Sequence, residues 1–429
     1  MSSVESRSRT QTREQIQLSP LIAALDIGAS KITCFVARST QDLGPTRVLG
    51  VGSLPSRGVK NGNITDLEAV EKTIRQVFES AEAMAGIGVS DVVVSVSGFG
   101  LKTEHGFGEI IMPAGTIGEK ERRRVVANAI QNKKFEGRHI IHVTPVYFKL
   151  DGNIVKEPLG MVGRKLEVVA TIVTIPVSVW NNIVLCVART NRHVMEVIAA
   201  PYASSLSVLA EDELESGALV VEMGAKSTTA ALFQNGSLAH VDAVPIGSDH
   251  ITQDIAQYFE TSAAVAEKLK IVLGSAIASL NEEEQMIDVQ RFDDNGNLVC
   301  SRAPRSFVTG IVRPRVEETL ELLRDRLASR GIDKSIYGRR IVLTGGGAQL
   351  NGVRELAARV FEGHVRVGRP QRFVGLGDAV SGPAFAVCSG LLRWGIDKPT
   401  DVTKIAHEMQ QAHQHPILKA MNWVKEVFW

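Results

Sequence analysis

The sequence predicts an α/β protein of two related domains with a separate C-terminal element, and three observations carry that prediction. The chain has 429 residues, more than one hydrophobic core ordinarily serves, so two or more domains are expected. An order of strand, glycine turn, strand, third strand and helix occurs twice, nearly half the chain apart, which is too long a period for a solenoid and suits two similar domains. The last fifteen residues, "HPILKAMNWVKEVFW", hold two of the four tryptophans at an end where chains tend to fray.

Composition narrows the class. With 44% hydrophobic and 22% charged residues the chain has the balance of a folded globular protein. A net charge of +1 gives no sign of nucleic acid or another polyanion as partner. Cys34, Cys186, Cys300 and Cys388 lie far apart without a C-x-x-C pair, an arrangement that speaks against a disulfide framework or zinc site and suits a reducing cytoplasm. Residues 1–19 are polar, lack the apolar stretch of a signal peptide and are expected to be a disordered tail. Apolar runs such as "LEVVATIVTIPV" are too short to span a bilayer and read as buried strands. Any membrane contact is therefore expected to be peripheral.

The elements follow in order. "LIAALDIGASKITCFVAR" is two β-branched runs broken by a glycine turn, hence a hairpin; "RVLGVGSLP" is a third strand; "TDLEAVEKTIRQVFESAEAMAG" is an amphipathic helix with Thr65 or Asp66 as N-cap. These belong to a first domain, residues 20–90 and 176–211. Residues 91–175, strands with one helix at "GEKERRRVVANAIQ", have no counterpart in the second copy and read as an inserted subdomain. "GALVVEMGAKSTTAALFQNG" repeats the hairpin and "SLAHVDAVPIG" the third strand, in a second domain of residues 212–247 and 333–395. Residues 248–332 form its own subdomain, with helices at "SDHITQDIAQYF", "TSAAVAEKLKIVLGSA" and "VRPRVEETLELLRDRLASRG". "RRIVLTGGGAQLNGVRELAARVF" is a buried strand, three glycines and a helix. Residues 396–414 are polar and read as a flexible linker to a helix at 415–429.

A glycine at a hairpin turn lets backbone N–H groups approach a phosphate that a side chain would block. Two such turns in equivalent positions, "DIGASK" and "EMGAKS", followed by strand–Gly-Gly-Gly–helix, point to a phosphate-bearing ligand. Asp26, just before the first turn, is placed to hold Mg2+ through water, and Lys31 to meet a phosphate as a point charge.

This arrangement resembles the actin-like superfamily of actin, Hsp70 and sugar kinases, and its details resemble the FtsA family of bacterial cell division proteins from Leu21 to Trp429. The resemblance implies an actin-like fold whose two duplicated domains surround a nucleotide cleft. It implies ATP with Mg2+ as cofactors. Gly28, Ser30 and Lys31 match the first phosphate hairpin; Gly224, Lys226 and Ser227 match the second. Glu267 and Lys270 match the helix that holds ribose and adenine, and Gly345, Gly346 and Gly347 match the adenosine motif lying against base and sugar. The second hairpin departs from the family's D-x-G-G-G-T: it reads Glu222-Met223-Gly224-Ala225-Lys226-Ser227. Positive φ at Ala225 or Lys226 would be strained, so a differently shaped turn is expected. Lys226 is expected to replace lost backbone contacts, and the altered carboxylate to leave at most a slow ATPase.

The resemblance also implies partners. Arg315, in the family's I-x-P-R turn, and Arg305 in "APRSF" match the surface that receives the acidic C-terminal peptide of the tubulin-like FtsZ; other division proteins and further copies in a filament are implied as well. At 100° per residue Ile417, Ala420, Met421, Val424, Val427 and Phe428 fall on one face with Leu418 at its edge. Lys419, Asn422 and Glu426 lie opposite, and Trp423 and Trp429 flank the apolar face. That pattern predicts a helix lying on a membrane surface. The reading is an ATP-binding, polymerising scaffold that tethers FtsZ filaments to the cytoplasmic face of the inner membrane at midcell. Two alternatives stand beside it: a sugar-kinase-like phosphotransferase and an actin-like scaffold of pilus assembly.

Overall fold

The computed structural model describes residues 20–39, 46–60, 62–98, 100–293, 296–337, 340–397 and 402–414. The expected N-terminal tail at 1–19 and the expected membrane helix at 415–429 lie outside the described residues.

The first hairpin is β1 (Leu21–Ile27) and β2 (Lys31–Arg38), with β3 (Arg47–Pro55) antiparallel beside β2. A small ribbon, β4 (Val59–Lys60) and β5 (Asn63–Ile64), leads into helix α1 (Leu67–Ala85). The Asp66 carboxylate caps α1 by accepting from the Ala69 N–H at 3.0 Å. Helix α1 buries Val70, Ile74, Val77, Phe78 and Ala81, a stripe at helical spacing that covers one face of the sheet. β6 (Asp91–Val96) then runs parallel to β1.

The inserted subdomain follows: β7 (Lys102–Thr116), α2 (Glu119–Gln131), β8 (Arg138–Leu150), β9 (Asn153–Val155) and β10 (Val162–Pro176), in the sheet order β7-β10-β8-β9. Its expected start at residue 91 shifts, because Asp91–Val96 sits inside the first domain's sheet, hydrogen-bonded between β1 and a later strand. After α3 (Val177–Ala188) that later strand, β11 (His193–Ala199), completes the sheet β11-β6-β1-β2-β3, followed by α4 (Ala200–Val208) and α5 (Glu211–Ser216).

The second domain repeats the plan. β12 (Ala218–Met223), β13 (Thr228–Gln234) and β14 (Ser237–Val244) precede α6 (Ser248–Tyr258) and α7 (Ala263–Leu273). A ribbon of β15 (Met286–Phe292) and β16 (Leu298–Pro304) leads to α8 (Ser306–Ala328) and α9 (Lys334–Tyr337). β17 (Arg340–Thr344), α10 (Val353–Val360) and β18 (His364–Val367) then complete the sheet β14-β13-β12-β17-β18. Position for position this is the order of the first sheet, with β17 parallel to β12 as β6 is to β1. The central strands are buried on both faces, and near-continuous apolar runs such as "ALVV" are what such strands require. The helix expected to begin near Val312 begins at Ser306 and runs through Pro314.

Two features join the parts. The Thr103 hydroxyl donates to the Val241 carbonyl at 2.7 Å and accepts from the Val241 N–H at 2.9 Å, and Thr171 donates to the Ala239 carbonyl at 3.0 Å. The inserted subdomain thereby grips β14, the edge strand of the second domain. The other feature corrects the flexible linker. Residues 386–395, expected in the second domain, join 396–397 of the expected linker in α11 (Ala386–Asp397), which packs on α4 and β1 in the first domain's core, and α12 (Thr403–Gln414) lies docked on the inserted subdomain. Ala406 and Ile405 enter that subdomain's core, with Val402 and Met409 packed against it. The polar composition concealed this because a short helix needs only one narrow apolar strip. Among the described residues no helix is long and apolar enough to cross a membrane.

Candidate functional site

Between the two domains lies a cavity of about 720 Å³, and every residue expected to hold the nucleotide lines it. Register explains why. Asp26 pairs with Thr33 and Glu222 with Thr229, so the two carboxylates occupy equivalent rungs, each two residues before a turn glycine. Asp26 Oδ1 accepts from Ser95 Oγ at 2.6 Å, and Glu222 Oε2 accepts from Thr229 Oγ1 at 3.0 Å. Burial raises the Asp26 pKa against the pull of Ser95 and Lys31. Burial, and then the charge of Asp26, pushes Glu222 up to about 7. The cleft floor thus holds two carboxyl groups whose ionisation burial opposes, with the charge of Asp26 opposing that of Glu222 as well.

Lys31 lines the same floor with its Nζ 3.0 Å from the centre of the Phe385 ring. Burial lowers its pKa to about 8, against the opposing pull of Asp26. The second turn is not strained: neither Ala225 nor Lys226 has positive φ. Its carbonyls fold back onto the start of α6, where the Ser248 and Asp249 N–H groups donate to Gly224 and Ala225 at 2.9 and 2.8 Å. The same helix supplies the Lys226 partner, since Lys226 Nζ lies 2.8 Å from Asp249 Oδ2. The lysine expected to meet phosphate is therefore ion-paired at the cavity wall.

The three glycines after β17 divide by role. Gly345 has φ 85° and ψ 173°, and a Cβ there would stand 2.6 Å from the Met223 carbonyl oxygen; a Cβ on Gly347 would meet Ser248 Oγ at 2.4 Å. Beside Gly346 there is open space. Two glycines therefore serve packing against the end of β12 and α6, and the middle one leaves room.

On the neighbouring wall Lys270 Nζ contacts Glu267 Oε2 at 2.7 Å, Thr252 Oγ1 at 2.8 Å and the Ser248 carbonyl at 3.1 Å. Burial raises Glu267, but the Lys270 and Thr252 hydrogen bonds outweigh it and leave the pKa low. Ile271 and Val272 add an exposed apolar edge to the cavity. Ser248 Oγ is buried in the wall with no hydrogen-bond partner, the kind of group a polar ligand satisfies.

The two arginines fall in different places from those expected. Arg305 lines the cavity, with its Nη1 3.0 Å from Gln285 Oε1 and its Nε buried without a partner. Arg315 lies within α8, not at a turn. Its fork is occupied by Asp254 of α6 at 2.6 and 3.0 Å, with Glu318 on the remaining nitrogen. Sequence reasoning missed Asp249, Ser248, Thr252 and Phe385. Of these only Asp249, an acid in the first turn of a helix just after the third strand, left a signal.

Two duplicated domains around a cleft, with paired hairpins at its floor, make this an actin-like protein. A type IV pilus biogenesis complex, PilM–PilN, includes a chain of similar fold, with a TM-score of 0.64 and 18% identity over 88% of this chain and 98% of that one. MreB5 of Spiroplasma citri, in a structure bound to ADP, matches with a TM-score of 0.53 and 13% identity over 87% and 95%. The chain belongs to the FtsA family. Residues 219–390 match the family model for cell division protein FtsA, and residues 98–174 match the SHS2 domain inserted in it. The cell division protein FtsA of Agrobacterium fabrum is 38% identical over 384 residues, 87% of this chain and 86% of that relative.

Proposed function

We propose that this chain is a nucleotide-dependent scaffold of the cell division machinery, which binds ATP with Mg2+ in the interdomain cleft, polymerises, and links FtsZ filaments to the inner face of the cell membrane. The observation that carries the nucleotide reading is the cavity itself: both glycine hairpins, the Glu267–Lys270 pair and the open face at Gly346 converge on it. ADP is named as the ligand of a protein with the same fold, which is consistent with that reading. Asp26 and Glu222 fit a divalent cation held largely through water: burial raises both pKa values, the charge of Asp26 raises that of Glu222 further, and a cation would favour both ionised forms. Mg2+ would supply charge neutralisation along the phosphates. Glu222 is hydrogen-bonded to Thr229 and prone to protonation, which suits a ligand that is held more than one rapidly turned over.

Membrane attachment rests on the one-sided apolar face of residues 417–428 flanked by Trp423 and Trp429. One such helix holds weakly, since ordering it offsets most of its apolar burial. A polymer presenting many of them holds firmly. For FtsZ the acidic peptide is placed against α8, where Arg315 would exchange Asp254 for a carboxylate of the partner. Against the sugar-kinase reading, the other two carboxylates that line the cavity, Asp249 and Glu267, are ion-paired with Lys226 and Lys270. The test is reconstitution: the full chain with ATP should carry labelled FtsZ polymers onto vesicles of mixed anionic lipid, and the chain ending at Gln414 should not. Equal recruitment by both would defeat the tethering reading.

A further inference from the structure

We propose that the inserted subdomain is the docking site for the root of the C-terminal segment, and that release of α12 from it sets how far that segment reaches. The contact is specific. The Val402 N–H donates to the Val143 carbonyl at 3.1 Å, and Thr403 Oγ1 accepts from the Val143 N–H at 2.9 Å, so the chain runs beside β8 before the helix begins. His407 Nε2 reaches the Ile140 carbonyl at 3.0 Å, its ring 5.3 Å from that of His139, which stacks on Trp180 at 3.8 Å. Arg123 of α2 pairs with Glu408 at 2.7 Å. Ala406 is fully buried and Ile405 nearly so.

The contact is also small. Three buried side chains, a few hydrogen bonds, the exposed Arg123–Glu408 pair and the His407–Glu196 contact at 3.8 Å do not greatly exceed the entropy lost by ordering the segment. Docking is therefore of modest strength, and one substitution can undo it. Its consequence is geometric. Docked as a helix, the twelve residues of α12 advance the chain by about 18 Å; released and extended they span up to roughly 40 Å. The docked state holds the end of α12 against the inserted subdomain, and release turns α12 into a tether for the chain beyond it. The consequence for reach rests on reading 415–429 as the membrane segment; the docking itself does not.

Hydrogen exchange on the full-length protein tests the docking, and sedimentation with vesicles of phosphatidylglycerol and phosphatidylethanolamine tests the reach. The amides of residues 405–410 should be protected in the wild type. In Ala406→Asp they should exchange at least tenfold faster, with the melting of both domains unchanged. Thr403→Val, a milder change, should give an intermediate rate. Ala406→Asp should also pellet at severalfold lower lipid than wild type, because a tethered segment finds the surface more readily. Wild-type amides that exchange as fast as those of Ala406→Asp would overturn the docking, whatever the vesicles do. Protected wild-type amides combined with equal pelleting of the two proteins would overturn the link to reach.

Discussion

At the scale of single residues the cleft is governed by charges that oppose one another. Lys226 is held by Asp249 at 2.8 Å, so on the proposed reading a phosphate would have to displace that carboxylate to meet the ammonium. Lys226→Ala should weaken ATP binding roughly tenfold or more and adenosine far less. Asp249→Asn should tighten ATP severalfold, and should do nothing in the Lys226→Ala background; calorimetry on the four proteins reads the coupling. Glu222 carries the pH signature. Its pKa is raised from 4.5 to about 7 by burial and by Asp26, so its contribution to stability is fully present below pH 4.5 and is lost as pH rises through 7. Glu222→Gln keeps an acceptor for Thr229 and removes the ionisation. It should match wild type near pH 4 and exceed it by roughly 3 kcal/mol at pH 8, as denaturant titrations without ligand would show. The cavity-lining positions of Asp26, Lys31 and the turn glycines were legible in sequence because each sits at a fixed offset from a strand end. Phe385 was not, because it reaches the site from an element brought in by tertiary packing.

At the scale of elements, the repeated hairpin was legible and the detail of its second turn was not. Lost glycines suggested strain at Ala225 or Lys226, yet both keep negative φ because α6 donates two backbone N–H groups to the turn. The glycine run after β17 shows the reverse: three identical letters hide two functions. Gly345→Ala forces a side chain into a conformation reserved for glycine and against Met223, and should cost roughly 1–3 kcal/mol of stability. Gly346→Ala has room and should leave the melting temperature nearly unchanged while weakening ATP and adenosine alike. If Gly346→Ala binds both normally, the ligand does not approach that face. Helix α8 illustrates a different limit. The motif around Pro314 reads as a turn, but the helix continues through it and closes Arg315 on Asp254. Releasing that fork with Asp254→Asn should strengthen FtsZ-peptide binding, and Arg315→Glu should weaken it at least tenfold; fluorescence anisotropy with a labelled peptide measures both.

At the scale of the whole molecule, duplication was readable because the two sheets share one strand order, whereas the joints between parts were not, since they are made by ordinary threonines and a polar helix. Thr103 and Thr171 tie the inserted subdomain to the backbone of β14, although that subdomain interrupts the other domain. The two glycine hairpins come one from each domain, so a ligand spanning both would require their spacing to be held, and the clamp holds it from the side of β14. Thr103→Val deprives the Val241 N–H and C=O of their hydroxyl partner, at a cost of roughly 1–3 kcal/mol for each group left unsatisfied. Some of that cost appears as a larger share of molecules with the domains apart, and apparent affinity falls with the competent fraction. Thr103→Val with Thr171→Val should therefore weaken ATP about three- to tenfold, without any change in a residue that lines the cavity. Adenosine should be affected much less, because Glu267, Lys270 and the glycines after β17 all belong to the second domain. Thr103→Ser, which keeps the hydroxyl, should restore wild-type binding if the hydrogen bonds are what matter. Exchange at the β14 amides should accelerate in the valine variants and not in the serine one. Equal losses of ATP and adenosine affinity would show instead that the substitutions damage the second domain itself.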